Sequence, residues 1–138
     1  MSTPYLAKKK VSAIPILSLF FGRVDERPYV GPFDAIVDTG ADMTVFPLSL
    51  LHQAKARSTG DGQLRTAFGD VHAVTFFLID VQIENFVLPA VLVAGDKNVQ
   101  EITLGRNVLN KLAILLDGPQ EQTQILKDTE IERLRSRR

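Results

Sequence analysis

The stretch FDAIVDTGADMTVFP, residues 33–47, carries the apolar run Ala35-Ile36-Val37 directly into an acidic residue, Asp38. Thr39 and Gly40 follow, then Ala41. Asp and Gly are turn formers and Thr can bond its own backbone, so a plain turn at a strand end is one reading. A reactive carboxylate is the other. A solvated turn does not need apolar residues on both sides, and these flanks predict a partly buried site for Asp38.

Outward from this stretch the pattern is mostly that of strands. Residues 11–21 form a nearly continuous apolar run that reads as a buried strand, with Pro15 at an edge or a bulge. The segment GRVDERPYVGP, residues 22–32, has turn chemistry, and FDAIVD returns as a second strand. PLSLLHQA, from Pro47, predicts a short helix with Leu50, Leu51 and Ala54 on one side. KARSTGDGQ, residues 55–63, reads as a loop, followed by strand-like sequence interrupted at Phe68-Gly69-Asp70. Phe77, Ile79, Val81 and Ile83 alternate with Asp80, Gln82 and Glu84, the mark of a half-buried strand with one wet face. FVLPAVLVA, residues 86–94, reads as a strand apolar on both faces. ITLGRNVLNKLA, residues 102–113, changes to helical period at Val108, Leu109 and Leu112. AILLDGPQEQTQIL, residues 113–126, reads as a hairpin closed at Asp117-Gly118-Pro119. Residues 1–10 read as a loose polar arm. Residues 127–138 read as a charged tail or short helix, with Thr129 and Glu132 as a capping box. The sum is one mainly β domain over residues 1–138, with seven or eight strands and one to three short helices.

Composition narrows the function classes. The 138 residues suit one domain with a single core. Sixteen basic residues balance sixteen acidic ones, so bulk electrostatics point to no nucleic-acid partner. There is no cysteine, which removes disulfides, zinc–thiolate sites and thiol nucleophiles. The only histidines, His52 and His72, read as solvated or surface residues, and no metal or cofactor is expected. No apolar run approaches the ~20 residues of a membrane helix. Lys8, Lys9 and Lys10 before VSAIPILSLFFG resemble the start of a signal peptide, but no small-x-small cleavage site follows. The segment is read as a strand, and the protein as soluble and cytoplasmic. Phe20, Phe21, Phe76 and Phe77 are core candidates. Lys8–Lys10 and Arg137-Arg138 read as solvated charge.

AIVDTGADMTVFP resembles the active-site loop of retroviral-type, or retropepsin-like, aspartic proteases. That family's signature is two apolar residues, Asp-Thr/Ser-Gly-Ala, and a Thr three residues beyond the Ala, where Thr44 stands. A second segment, TLGRNVLNKL, resembles the family's apolar-Gly-Arg-Asp/Asn stretch, and its Gly105 lies 67 positions after Asp38. Between them, TAFGD falls where the family has its flap tip. The resemblance spans roughly residues 11–126 and is closer to cellular or bacterial members than to viral ones. It implies a closed, barrel-like acid protease lobe.

The resemblance also implies roles. Asp38 is the catalytic carboxylate, Thr39 braces it across a dimer, and Gly40 clears the cleft. Ala41 and Asp42 contact substrate backbone, and Asp42 can also form a partly buried bidentate pair with Arg106. Asn107 ties the following helix back to Thr44. Phe68 and Gly69 sit at the flap tip. One carboxylate cannot run this chemistry alone. It needs two that share a proton, because like charges about 3 Å apart cannot both ionise; aspartic proteases are the standard case. The chain has a single Asp-Thr-Gly, so an active enzyme requires Asp38 of a second copy: a homodimer acting on polypeptide. Two other readings remain. One is a catalytically silent retropepsin-fold domain for peptide binding or dimerisation. The other is an aspartyl-phosphate enzyme of the haloacid dehalogenase type, whose motif needs an acid where Gly40 stands.

Overall fold

The computed structural model describes residues 2–8, 11–27, 29–66 and 68–137. The N-terminal segment carries β1 (Ser2–Pro4) and β2 (Leu6–Lys8). The first apolar run gives β3 (Val11–Ile14) and β4 (Ile16–Gly22), which divide at Pro15 because proline has no N–H to give to a ladder. β5 (Val30–Val37) leads into the Asp38 loop, and β6 (Val45–Pro47) leaves it. Pro47 caps the short helix α1 (Leu48–Gln53). Two long hairpin arms follow, β7 (Arg57–Arg65) and β8 (Val71–Ile83), then β9 (Phe86–Asp96). β10 (Ile102–Leu104) runs into α2 (Arg106–Leu109). The chain ends with β11 (Ile114–Asp117), β12 (Gln122–Ile125) and α3 (Asp128–Arg135).

The main sheet has the order β4-β5-β10-β6-β9-β8-β7, and β4 also pairs with β8. That pairing closes β4, β5, β10, β6, β9 and β8 into a six-stranded barrel, with β7 outside the ring as the partner of β8. Closure removes the free edges that an open sheet would present. Alternating residues fill the interior: Leu17, Leu19 and Phe21 from β4, and Phe77, Ile79, Val81 and Ile83 from β8. Phe46 is fully buried at the centre, edge-on to Phe21 at 4.9 Å between ring centroids. Each such side chain contributes roughly 1.5–3 kcal/mol of transfer free energy. A separate sheet, β1-β12-β11, is built from the two ends of the chain, and β2 pairs with β3.

Several expectations are corrected. Residues 2–8 are not a loose arm: Ser2–Pro4 pair with Gln122–Gln124, and Lys8 forms an ion pair with Glu101 at 3.0 Å. Lys9, Lys10 and Arg138, read as solvated charge, lie outside the described residues. Residues 57–63 are strand rather than loop, because β8 is long enough to template them from Leu78 down to Val71. With the N-terminal strands and the split at Pro15, the described residues hold twelve strands, not seven or eight. Phe21 and Phe77 are core, but Phe20 is exposed and Phe76 only partly buried. Adjacent strand residues face opposite ways, so each Phe pair can place only one ring inside. The capping contact of α3 lies upstream of the expected Thr129 and Glu132: the Lys127 N–H donates to Glu130 Oε1 at 3.1 Å.

The largest departure is Asp80, expected on a wet face and found 3% exposed. Ile79 and Val81 keep their core positions, so Asp80 lies on the opposite face of β8, where the Asp25–Tyr29 turn and the extra residue of β9 at Ala90 cover it. Its oxygens accept the N–H of Ala90 and of Asp25, each at 3.0 Å, and the Tyr29 hydroxyl at 3.1 Å. Ala90 and Asp25 both have left-handed backbone, φ 50° and 61°. That conformation costs about 1 kcal/mol or more for a residue with a Cβ, and the carboxylate offsets it. Burial raises the Asp80 pKa, but these three hydrogen bonds outweigh it and hold the group below the usual carboxylate range. The Tyr29 hydroxyl is raised by burial and by its bond to Asp80.

Candidate active site

β10 lies between β5 and β6 in the barrel, parallel to β5 and antiparallel to β6. The loop from Asp38 to Thr44 joins β5 to β6, so it must pass over the end of β10. The chain leaving β10 then runs directly beneath that loop. This crossing brings together two segments 67 positions apart.

Hydrogen bonds stitch the crossing closed. The Asp38 N–H donates to the Leu104 carbonyl at 3.1 Å, and the Arg106 N–H to the Ala41 carbonyl at 2.8 Å. The Asn107 N–H reaches the Asp42 carbonyl at 3.3 Å. Thr44 is fully buried in the middle. Its hydroxyl donates to Asn107 Oδ1 at 2.8 Å and accepts the Gly105 N–H at 3.0 Å. Its own N–H also donates to Asn107 Oδ1, at 2.9 Å, and Asn107 Nδ2 donates onward to the Leu92 carbonyl at 2.8 Å. Gly105 is required by contact: a Cβ there would lie 2.6 Å from the Met43 carbonyl carbon and oxygen. Backbone cannot yield as a flexible side chain can, so no larger residue fits the crossing.

Asp38 sits on top of this structure. Asp38, Thr39 and Gly40 are exposed in the single chain. This corrects the expectation of a partly buried carboxylate: the apolar residues Ala35 and Val37 are buried in the barrel, and they serve the strand rather than the acid. The carboxylate is nevertheless oriented, since Oδ1 accepts the Gly40 N–H at 2.9 Å. Arg106 reaches up from α2, donating from Nη1 to the Thr39 carbonyl at 2.8 Å and from Nη2 to Asp42 Oδ1. The guanidinium is therefore shared between a carbonyl and a carboxylate, rather than bidentate on Asp42. The pair is exposed, not partly buried, with the Asp42 side chain 86% accessible.

Phe68 and Gly69 stand at the tip of the β7–β8 hairpin, where Phe68 is 94% exposed and Gly69 has φ 88°. The tip closes on itself through Thr66 N–H to the Asp70 carbonyl and Gly69 N–H to the Thr66 carbonyl, at 2.8 and 3.0 Å. Below the tip, His72 is joined to the buried Asp96, Nδ1 to Oδ2 at 2.7 Å. Sequence reading treats His72 as a surface residue, and nothing in the 24 positions between the two signals their contact. Among the described residues no group of three or more ligating side chains could hold a metal ion. Nor is any helix among them long and apolar enough to cross a membrane.

Comparison with known proteins gives a consistent picture. The family model described as gag-polyprotein putative aspartyl protease matches residues 30–111. No curated protein matches in sequence. Among solved structures the chain is similar to the EIAV protease complexed with the inhibitor HBY-793, at 14% identity and a TM-score of 0.59. That match covers 76% of this chain and 93% of the other. It is also similar to a retropepsin-like aspartic protease from Rickettsia conorii, at 15% identity and a TM-score of 0.58, covering 91% of this chain and 98% of the other. At these identities the likeness is one of fold: a single retropepsin lobe.

Proposed function

The chain belongs to the gag-polyprotein putative aspartyl protease family, and on that premise we propose that it is an aspartic endopeptidase working as a homodimer. The observation that carries this reading is the Asp38 loop: a rigid, hydrogen-bonded platform that presents one oriented but exposed carboxylate. One chain thus holds half of a two-carboxylate site, and Asp38 of a second copy completes it.

In the dimer the two Asp38 carboxylates share one proton. The ionised one removes a proton from a water held between them, and that water attacks the scissile carbonyl. The protonated one gives its proton to the carbonyl oxygen; the carboxyl that took the water's proton then gives it to the leaving amine as the C–N bond breaks, while a hydroxyl of the tetrahedral diol returns a proton to the other carboxylate. Thr39 braces the two loops across the dimer axis. Gly40, Ala41 and Asp42 meet the substrate backbone, with Arg106 holding Asp42 in place. Thr44, Arg106 and Asn107 support the platform. Phe68 and Gly69 close over the polypeptide and exclude water. The chemistry needs only the two carboxylates and water.

The shared proton sets the pH dependence: activity peaks at mildly acid pH, where one carboxyl of the pair is ionised and the other is not. Peptide-library turnover near pH 5, measured across protein concentration together with mass, tests this directly. Asp38→Asn lowers turnover by at least about 10³-fold, an effect worth ~4 kcal/mol, while circular dichroism stays that of the wild type. An Asp38→Asn protein that cleaves at the wild-type rate refutes the assignment, and an active strict monomer refutes the shared pair.

A further inference from the structure

The β7–β8 hairpin changes its support along its length. β8 pairs with β9 from Ile83 as far as Thr75, which faces Gly95. Beyond that level Val71–Val74 pair with Gly62–Arg65 of β7 and with no strand of the barrel. A two-stranded ribbon is marginal on its own. β7 is irregular at the same level. Its register shifts between Ser58 and Gly60, and Gly60, opposite Phe76, has φ 146°. Glycine adopts such backbone without strain, and a bulge bends the strand that carries it. Both strands thus lose their regular support along one line, and the ribbon pivots there. His72 lies just beyond this line, on the face of β8 that also carries the buried Val74. Its Nδ1–H donates to Asp96 Oδ2 at 2.7 Å, since an ionised carboxylate only accepts. Asp96 is 2% exposed and fixed in the barrel. It ends β9, pairs with Pro47 of β6, and its Oδ1 accepts the Asn98 N–H at 2.8 Å. Among the described residues, this is the one side-chain hydrogen bond from Val71–Val74 to the barrel.

We propose that His72 is a positioning residue for the lid. Its bond to Asp96 latches the ribbon at the angle that covers bound polypeptide, and its release lets the ribbon swing out about Gly60 and Thr75. The inference rests on the lid role given above to Phe68 and Gly69. The bond lies close to the pivot, so a small movement there becomes a large one at the tip. Its two partners differ as a latch requires. Asp96 is held by a rigid sheet and a second hydrogen bond, whereas the His72 side chain is one-third exposed on the ribbon, where water takes its place when the bond opens. A bond to a carboxylate is stronger than one between neutral groups, and a dry carboxylate holds its donor more tightly than a surface one. One such bond is enough to bias a marginal ribbon between two positions.

Two replacements in the full chain separate the latch from simple packing. His72→Phe keeps a planar ring on the strand and removes the donor. His72→Asn puts an amide nitrogen where Nδ1 stands and restores it. Hydrogen exchange followed by mass spectrometry reads the latch without any substrate. In His72→Phe the amides of Gly62–Arg65 and Val71–Val74 exchange at least about tenfold faster, while those of β4, β5 and β9 keep the wild-type rate. In His72→Asn both sets match the wild type. Peptide cleavage reads the consequence: His72→Phe raises KM about tenfold with kcat within about twofold, and His72→Asn recovers most of that loss. Unchanged ribbon exchange in His72→Phe overturns the latch. Equal acceleration in ribbon and barrel overturns it too, because His72 then serves only the stability of the whole. So does a His72→Asn protein that behaves as His72→Phe. Faster ribbon exchange with an unchanged KM refutes the positioning role and leaves the protease reading standing. A wild type that cleaves nothing, with ribbon exchange that still depends on the donor, sinks the protease reading and leaves the latch in place.

Discussion

The Asp38 loop and the tip of the β7–β8 hairpin are both turns of a few residues, and they are held in opposite ways. The loop is tied from beneath by bonds to Leu104, Gly105, Arg106 and Asn107, with Thr44 buried among them. The tip is held by two bonds within its own backbone, and Phe68 stands free. Under the proposed function, a carboxylate that meets its partner within about 3 Å gains from a fixed platform. A segment that must admit a polypeptide and then cover it gains from the lack of one. On that reading the contrast is that of a floor and a lid, and each end of it can be tested by substitution.

The largest effect belongs to the crossing. Gly105→Ala forces a Cβ against the Met43 backbone and costs about 3 kcal/mol or more, read as a fall in the denaturation midpoint; wild-type stability in this variant breaks the picture of a packed floor. Thr44→Val keeps the shape but strands the Gly105 N–H and takes one of two donors from the Asn107 oxygen. Chemical denaturation should register a loss of about 2 kcal/mol, with activity falling alongside as the platform loosens.

Next in size is Asp80, an anchor on the barrel remote from both turns. Asp80→Asn costs about 1–2 kcal/mol near neutral pH, since the neutral amide binds the Ala90, Asp25 and Tyr29 donors less well. The folded pKa of Asp80 is lowered. Its stabilisation is therefore fully present above the unfolded value of about 3.9 and lost as pH falls through the folded pKa. Thermal unfolding of the two proteins thus converges below about pH 4, and a gap that persists unchanged at pH 2 contradicts the assignment. At mildly acid pH the anchor remains intact, in the range where the proposed chemistry works.

The smallest effect is at the lid. Phe68→Ala changes stability by less than about 0.5 kcal/mol, because the ring packs on nothing in the single chain. Its effect appears as a raised KM for peptide. A clear loss of stability would mean that the tip is docked rather than free, and would erase the contrast with the floor.

Much of this was legible in the sequence because it depends on neighbours in the chain. Period-two alternation marks Ile79, Val81 and Ile83 as core, and the change of period at Val108 and Leu109 marks α2. Asp117-Gly118-Pro119 marks the closing hairpin. Local propensity missed β7 and the N-terminal strands, since Arg57–Gln63 and Ser2–Pro4 are strand only by virtue of the partners that template them. Asp80 was misread for a related reason. Alternation places Asp80 on the face away from the core, but the Asp25–Tyr29 turn and the β9 residue Ala90, distant in the chain, cover that face.

The sequence by itself determined the two chemical motifs and the strand periods around them, because residue type and spacing are properties of the chain. Only the tertiary structure decided that the Asp38 loop and the Gly105-Arg106-Asn107 turn are one site. That follows from the strand order β5-β10-β6, which makes the loop cross the end of β10. The exposure of Asp38 was likewise settled in three dimensions. Its apolar flanks are consumed by the barrel, so the carboxylate stands at the surface, where a second chain can reach it.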